Sequence, residues 1–449
     1  MINIESLKHK GLIKIIGHPN ADFDCMVSGY LLKHIFTQLG IVSKFVLPDM
    51  NVDPFFEKVA HEMKFEYELC FNLRKEDTLF LVDHTANYEQ KVIGCFDHHP
   101  ELVKININYI NKPKTSCAKL IYEWAEEIGI TVPKDLTILT IYACYMDSLS
   151  FKSTKALKED KIWCLEKIKE YNLDEKAIEK WGFGLTPRHQ SYMDFLKTGI
   201  KTYYLEDKQV KASYVVVDND EDCLEMLSYV FAEELNDTVI AWCFIANNVV
   251  EEYNRILLVT KDFSLIQTTK KLYSRGLDIM PAVLNFLSFK NDGTITKYLI
   301  DNDISISTME SCTSGLVASN ITDYEGASAI LKGSSITYSN EAKINAGVSK
   351  YIIEDFGVYS LETAIDMAWN TRRNFGSQIG IGVTGSLGNV DPVNKDSVSG
   401  KVFFQICQDS ENCPVELLFQ NLPETRKEQK QKVVDIVLGV LYAILKFNK

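Results

Sequence analysis

The stretch His18-Pro-Asn-Ala-Asp22-Phe-Asp24 sets one imidazole and two carboxylates close together straight after the apolar run LIKIIG. The pattern returns twice: FLVDH ends in Asp83 and His84, and VIGCFDHH ends in Asp97, His98 and His99. Asp147 closes a further apolar segment, IYACYM. Taken singly, an Asp after a strand is ordinarily a turn or helix-cap residue, and a lone His is ordinarily structural. Yet four of the eight histidines in the chain, His18, His84, His98 and His99, stand beside these acids. Carboxylates gathered in one site repel one another and resist ionisation unless cations compensate them. Two divalent cations would do so, and mixed His and Asp donors suit Mn²⁺ or a similar transition metal better than Mg²⁺. A metal pair sharing one carboxylate clamps the oxygens of an in-line phosphoryl displacement. The implied chemistry is metal-assisted hydrolysis of a phosphoester or phosphoanhydride.

A second group lies far downstream. In STMESCTSGLVASNI, Ser311 follows an alternating strand pattern and precedes a helix rich in small residues. That position exposes a hydroxyl and aims backbone N–H groups at an adjacent anion, although a serine there, viewed alone, is ordinarily an N-cap. The stretch SSITYSNEAK brings Tyr338 and Lys343 to another strand–helix junction. A serine becomes a useful nucleophile only when a neighbouring base takes its proton, and a desolvated lysine can be that base. No histidine follows His189, so a Ser-His-Asp triad is excluded here.

The elements that must position these residues alternate. From residue 12 to about 150, LIKIIG, SKFVLP, TLFLVDH and KVIGCF read as strands between helical patterns, which predicts a mostly parallel sheet covered on both faces. Ligands of such sheets collect at the carboxyl ends of the strands, where the acids lie. A charged helical bridge, KALKEDKIWCLEKIKEYNLDEKAIEK, follows. A smaller unit has strands near KASYVVVD, VIAWCFIA and RILLVT; a third has strands at ISISTM, SSITYS, IGIGVTG and KVFFQI and ends in the helix KVVDIVLGVLYAILKF. The expected fold class is α/β, with a parallel-sheet domain over 1–190, a smaller α/β domain over 191–295 and a third α/β domain over 296–449.

Bulk properties bound the function. The chain has 449 residues, 46% hydrophobic and 24% charged, enough for two or three cores. No apolar run reaches the roughly 18 residues of a membrane span, and MINIESLKHK lacks the apolar core of a secretion signal. A cytoplasmic protein without a membrane partner is expected. Eleven cysteines occur without a CxxC pair, so neither structural zinc nor disulfides are expected. A formal net charge of −13 argues against long nucleic-acid duplexes as partners. Small anionic nucleotide or pyrophosphate substrates are expected, and a homo-oligomer is the expected assembly.

HPNADFD, LVDH, FDHH and the region around Asp147 resemble the motifs of the DHH phosphoesterase family. YMDSLSFKSTKALKEDKIWCLEKI is similar to a segment of the manganese-dependent (family II) inorganic pyrophosphatases, and the resemblance spans residues 10 to 290. It implies one metal held by His18, Asp22 and Asp83 and another held by Asp24, Asp83, His98 and Asp147, with Asp83 bridging. The ions would be two Mn²⁺, with Co²⁺ or Mg²⁺ as alternatives. His99 would face the substrate phosphate as donor or general acid, and Asp97 would orient an imidazole. Lys201 falls where that family has a substrate-binding lysine, and Ser274 and Arg275 match the start of its Ser-Arg-Lys-Lys-Gln signature. Gly276, Leu277 and Asp278 replace Lys-Lys-Gln. Each lost charge-assisted hydrogen bond costs about 1.5 to 3 kcal/mol, which favours a substrate with fewer charges than pyrophosphate.

Glu310 to Gly315 and Tyr338 to Lys343 closely resemble marks of the C-terminal domain of the CinA family, the nicotinamide-nucleotide amidohydrolases, over about 298 to 445. That resemblance implies deamidation of nicotinamide mononucleotide to the nicotinate form. Ser311 would attack, Lys343 would act as base, Tyr338 would assist proton transfer, and backbone near Thr313 would hold the oxyanion. Thr384 and Gly385 match the family's Val-Thr-Gly turn, and Arg426 resembles its phosphate-facing arginine. The family's Pro-Gly-Gly loop is replaced by Gly388-Asn389-Val390-Asp391.

The combined reading is a bifunctional hydrolase joining a metal-dependent phosphohydrolase to a nucleotide amidase, with an NAD-related substrate for the first. Two alternatives remain: a DHH phosphodiesterase acting on short oligonucleotides or cyclic dinucleotides, and a hydrolase regulated by a nucleotide-sensing CinA-like domain.

Overall fold

A computed structural model describes residues 3–48, 50, 53–71, 73–86, 88–99, 108–182, 199–217, 227–228, 230–231, 234–388, 391–392, 394, 396–408 and 411–447. The architecture is mixed α/β, built on one parallel sheet and one large mixed sheet. The first has five strands, β1 (Ile13–Ile16), β2 (Ser43–Val46), β3 (Thr78–Val82), β4 (Lys91–Asp97) and β5 (Asn108–Asn111), in the order β2-β1-β3-β4-β5, all parallel. All four β1 residues are buried, as expected of a strand covered on both faces. The order reverses beside β1, which opens a crevice at the carboxyl ends of β1 and β3, the usual ligand position of such sheets.

The structure settles two elements that the sequence left open or unnamed. The apolar segment ending at Asp147 is a helix, Lys134–Asp147. It packs on the helices Phe23–Gln38 and Cys117–Glu127, and burial on several sides erases the polar stripe that would mark a surface helix. The strand β5 was not anticipated; it is four residues long and pairs with the edge of β4.

The second sheet runs through the two expected downstream units without a break. Its strands are β6 (Lys201–Leu205), β7 (Lys208–Val217), β8 (Val239–Asn248), β9 (Tyr253–Thr260), β10 (Phe263–Thr268), β11 (Ile306–Glu310), β12 (Leu331–Ile336), β13 (Ile379–Ser386), β14 (Lys401–Gln408) and β15 (Glu411–Phe419). The order is β12-β11-β13-β14-β15-β10-β9-β8-β7-β6. The junction is the antiparallel pair β10–β15, in which Phe263–Gln267 faces Val415–Phe419. Joining them covers two sheet edges that would otherwise be open. One apolar cluster follows the sheet across the expected 295/296 boundary, from Val210 and Leu258 to Val415 and Leu445. Among the described residues no helix is long and apolar enough to cross a membrane.

The shared sheet makes an outcome testable. A Cβ at Gly382 in β13 would stand 2.3 Å from the Ala364 carbonyl and 2.6 Å from the Ala368 nitrogen, in the helix Leu361–Phe375 that covers the sheet. Gly382→Ala should therefore lower stability by about 1–3 kcal/mol. Urea unfolding followed by hydrogen exchange should show protection falling together in β8 and β14, since both strands belong to one core.

Candidate functional sites

At the carboxyl ends of β1, β3 and β4, the structure brings together every acid and imidazole expected to hold metal. His18 Nε2 lies 3.5 Å from Asp22 and 3.5 Å from Asp83; His98 Nε2 lies 3.3 Å from Asp83, 3.6 Å from Asp24 and 3.5 Å from Asp147. These contacts form a row, Asp22–His18–Asp83–His98–Asp147, with Asp83 at its centre. Asp83 ends β3 in the left-handed region at φ 62°, a conformation that Asp tolerates better than most side chains.

The ring tautomers follow from the outer hydrogen bonds. His18 Nδ1 meets the Pro19 carbonyl at 2.8 Å and His98 Nδ1 meets the Lys114 carbonyl at 2.9 Å. Each Nδ1 therefore donates outward, and each Nε2 turns its lone pair into the cluster, the arrangement usual for metal-binding imidazoles. His18 Nε2, His98 Nε2 and Asp83 Oδ1 are buried and make no hydrogen bond of ordinary geometry among the described residues. Asp24 is held differently, accepting from the Cys117 and Ala118 N–H groups at 2.6 and 2.9 Å at the start of a helix.

The electrostatics call for added positive charge. Burial, then Asp83 and Asp147, push the Asp24 carboxyl well above its usual range. His18 and His98 are each raised to about 9: burial opposes this, but the flanking aspartates overcome it. The cluster thus draws protons onto its imidazoles when nothing else supplies charge. Orphaned inward donors, clustered carboxylates and this demand for charge all fit divalent cations between the side chains.

His99 and His84 have other surroundings. His99 Nδ1 meets Asp97 at 2.8 Å, which leaves Nε2 on the opposite side of the ring. Burial, then the neighbouring His98, lower its pKa. His84 spends both nitrogens, on the Val82 carbonyl and the Tyr88 hydroxyl, and burial lowers it to about 4. It is the one of the four histidines turned away from the cluster.

Residues of the second sheet cover the mouth. Lys201 reaches from β6 to 3.5 Å from Asp22. Arg275 stacks over the Tyr214 ring and bonds the Gly199 carbonyl at 2.5 Å, at the start of a π-helical turn, Arg275–Ile279. A Cβ at Gly276 would lie 3.5 Å from the His99 ring. Two neighbours of the cluster escaped sequence reasoning: the Lys155 ammonium, which pairs with Asp147, and the Cys25 thiol, which groups with His18 and Asp83. Neither carries a local signal, because each enters the site only through the path of the chain.

The downstream site is compact. Ser311 directly follows β11, and its N–H donates to the Val383 carbonyl at 2.9 Å. Lys343 is buried; its Nζ donates to Ser311 Oγ at 3.0 Å and to the Thr337 carbonyl at 2.9 Å. Burial lowers its pKa from an ordinary 10.5 to about 8, against the opposing pull of Cys312 and Asp391. The helix expected directly after Ser311 begins at Leu316, and its first N–H groups do not point at a free anion site. Glu310, fully buried, occupies them, accepting from Val317 and Ala318 at 3.0 and 2.9 Å. The Thr313 hydroxyl is buried without a partner among the described residues, and its N–H donates to no described acceptor.

The remaining expectations divide. Tyr338 is 61% exposed, its hydroxyl meets Arg426 at 3.4 Å, and the preceding Thr337 carbonyl accepts from Lys343. The Thr384 hydroxyl is buried and donates to the Val358 carbonyl at 2.9 Å. A Cβ at Gly385 would stand 2.6 Å from Val402 Cα, so that glycine serves close strand packing. Asn389 and Val390 lie outside the described residues. Lys430, not expected, bonds Ser314 at 3.1 Å and adds a cation beside Arg426.

Comparison with known proteins agrees with both halves. Residues 12–144 match the DHH family, N-terminal domain, and residues 290–445 match the CinA C-terminal domain. The chain joins a DHH domain to a CinA domain. A competence-damage inducible protein by name from Clostridium novyi (strain NT) is 42% identical over 128 residues, 27% of this chain and 31% of that one. A CinA-like protein of Fervidobacterium nodosum is 40% identical over 114 residues, 25% of this chain and 28% of that one. The match thus spans about a third of the length of these curated relatives. Among solved structures, a Methanococcus jannaschii protein assigned to the family II inorganic pyrophosphatases aligns at 18% identity and TM-score 0.49, over 55% of this chain and 88% of that one. The competence/damage inducible protein CihA of Agrobacterium tumefaciens aligns at 24% identity and TM-score 0.32, over 36% of this chain and 98% of that one.

The metal cluster makes a stability prediction. A divalent cation at a hundred times its Kd should stabilise the wild type by about 2.7 kcal/mol, read as a rise in melting temperature. Asp83→Asn, which removes the central carboxylate, should lose most of that rise. A wild type whose melting ignores Mn²⁺, Co²⁺ and Zn²⁺ alike would contradict the cation reading.

Proposed function

We propose that the protein is a bifunctional hydrolase: a metal-dependent phosphohydrolase acting on a pyrophosphate or phosphoester bond of a small nucleotide, and an amidase converting nicotinamide mononucleotide to nicotinate mononucleotide. The observation carrying the second activity is the buried Lys343 ammonium, 3.0 Å from Ser311 Oγ, with a pKa brought down to about 8. A lysine so placed can exist neutral near physiological pH and take the hydroxyl proton. Ser311 Oγ then bonds to the carboxamide carbon, and the C–N bond breaks as the departing nitrogen receives a proton from Lys343. Water cleaves the resulting ester, leaving a carboxylate and ammonia. The Thr313 N–H is placed to receive the oxyanion. Arg426 and Lys430, at the start of the helix Arg426–Phe447, would meet the nucleotide phosphate.

At the other site, His18, Asp22, Asp24, Asp83, His98 and Asp147 would hold two divalent cations, Mn²⁺ by donor chemistry. Bound there, the cations supply Lewis acidity and activate water for in-line displacement at phosphorus. His99, held through Nδ1 by Asp97, would donate from Nε2 to the leaving oxygen only as the protonated ring, acting then as general acid, and Lys201 would contribute charge to the phosphate. A nucleotide pyrophosphate such as ADP-ribose suits this arrangement better than free pyrophosphate, since Gly276-Leu277-Asp278 bring no cation. Ten described cysteines are free thiols, which suits a reducing, cytoplasmic setting.

The two activities should separate cleanly. Ser311→Ala should lower deamidation by about a thousandfold or more and leave phosphohydrolysis intact; a chelator should do the reverse. Because the base must be neutral, deamidation should rise with pH through about 8, and a profile flat or falling from about pH 7 to 9 would rule out Lys343 as the base. A panel of pyrophosphate, ADP-ribose, NAD and a labelled dinucleotide, read by phosphate and nucleotide release, assigns the first substrate. Turnover of pyrophosphate alone would refute the nucleotide assignment.

A further inference from the structure

The turn covering the metal cluster is poor in cations. Arg275 is committed to the Gly199 carbonyl and the Tyr214 ring, and the Asp278 carboxylate accepts from the Ser274 N–H at 2.7 Å and from the Thr154 hydroxyl. The missing charge comes from the other side of that contact. After Asp147 the chain passes through Leu149, Ser150 and Phe151, all left-handed at φ 51°, 55° and 61°. Three such residues in succession, none of them glycine, carry a conformational cost that surrounding contacts must hold in place. Those contacts are the Ser153 N–H on the Ser148 carbonyl at 3.0 Å and the Thr154 N–H on the Leu272 carbonyl at 2.9 Å. The next residue is Lys155, 7% exposed, its ammonium paired with Asp147.

Lys155 and Lys201 therefore stand at opposite ends of the Asp22–His18–Asp83–His98–Asp147 row, each on a terminal carboxylate. A buried lysine that is to stay charged needs an anionic partner. Where Asp147 gives its oxygen to a cation, as the phosphohydrolase reading requires, a phosphoryl group in the mouth would serve as the replacement anion. We propose that Lys155 is a substrate-phosphate ligand of the metal site, supplying from the DHH domain the charge that the Gly276-Leu277-Asp278 turn does not. This rests on the phosphohydrolase reading and sharpens its substrate class. Single ammoniums at the two ends, without a cation cluster beside Arg275 among the described residues, favour a diphosphate whose ends are esterified over one that is fully ionised.

The test uses the full chain loaded with Mn²⁺ and imidodiphosphate, a non-hydrolysable P–N–P probe, read by calorimetry, with bound Mn²⁺ counted by elemental analysis. Lys155→Met should keep the wild-type Mn²⁺ content and bind imidodiphosphate at least about tenfold more weakly, one charge-assisted contact being lost. Lys155→Arg should recover part of the affinity, and it covers the case in which Lys155→Met does not fold. Unchanged affinity in Lys155→Met overturns the proposal, as does a gain of Mn²⁺ over the wild type, which would make Lys155 a stand-in for a cation. A wild type that takes up no Mn²⁺ instead overturns the phosphohydrolase reading itself, a result distinct from any failure confined to the variant.

Discussion

A carboxylate buried at the end of a strand must be compensated, and both sites are organised around that requirement. Asp24 and Glu310 meet it in the same way, each accepting two backbone N–H groups from the first turn of a helix. Each clamp welds a strand–helix junction to the sheet at the point where a functional side chain emerges. Asp24 fixes the helix Cys117–Glu127 beside His98, and Glu310 fixes the turn that presents Ser311. Asp83 has no helix to draw on and relies on His18 and His98, whose own charge state then depends on what lies between them.

This difference explains how much was legible in the sequence. Most of the metal-facing acids and imidazoles were readable because His18, Asp83 and His98 closely follow apolar strands, and the parallel topology gathers strand ends at one edge; Asp147 instead ends a helix. Ser311 was readable for the same reason, and Lys343 from its place in the helix that follows the next strand. The roles of Glu310 and Thr384 were not, since a buried acceptor and a buried hydroxyl acquire their partners only when distant segments meet. Lys155 was hidden because its aim depends on three left-handed residues that no propensity predicts. The merged sheet was hidden because pairing β10 with β15 joins segments about 150 residues apart in sequence, and such pairings leave no local trace.

That merged sheet also links the two sites physically. The turn carrying Arg275 runs directly into the helix Met280–Ser288, which packs on the C-terminal helix. Phe286 lies against Gly439, where a Cβ would stand 3.1 Å from its ring, and Phe289 meets Tyr442 with ring centroids 5.4 Å apart. The same C-terminal helix starts with Arg426 and carries Lys430, the cations beside Ser311. The cover of the metal site and the rim of the serine site are therefore opposite ends of one packed pair of helices.

The two sites obtain their reactivity by opposite uses of burial. Around Ser311, burial strips water from Lys343 and weakens its hold on a proton, which brings an ordinarily charged residue toward neutrality. Around Asp83, burial would protonate acids, and the folded chain resists this only by crowding imidazoles and lysines onto them. A site that lacks enough charge of its own is built to receive it. A site that discards charge is suited to a neutral substrate, and the two opposite electrostatic designs sit on adjoining sheets of one chain.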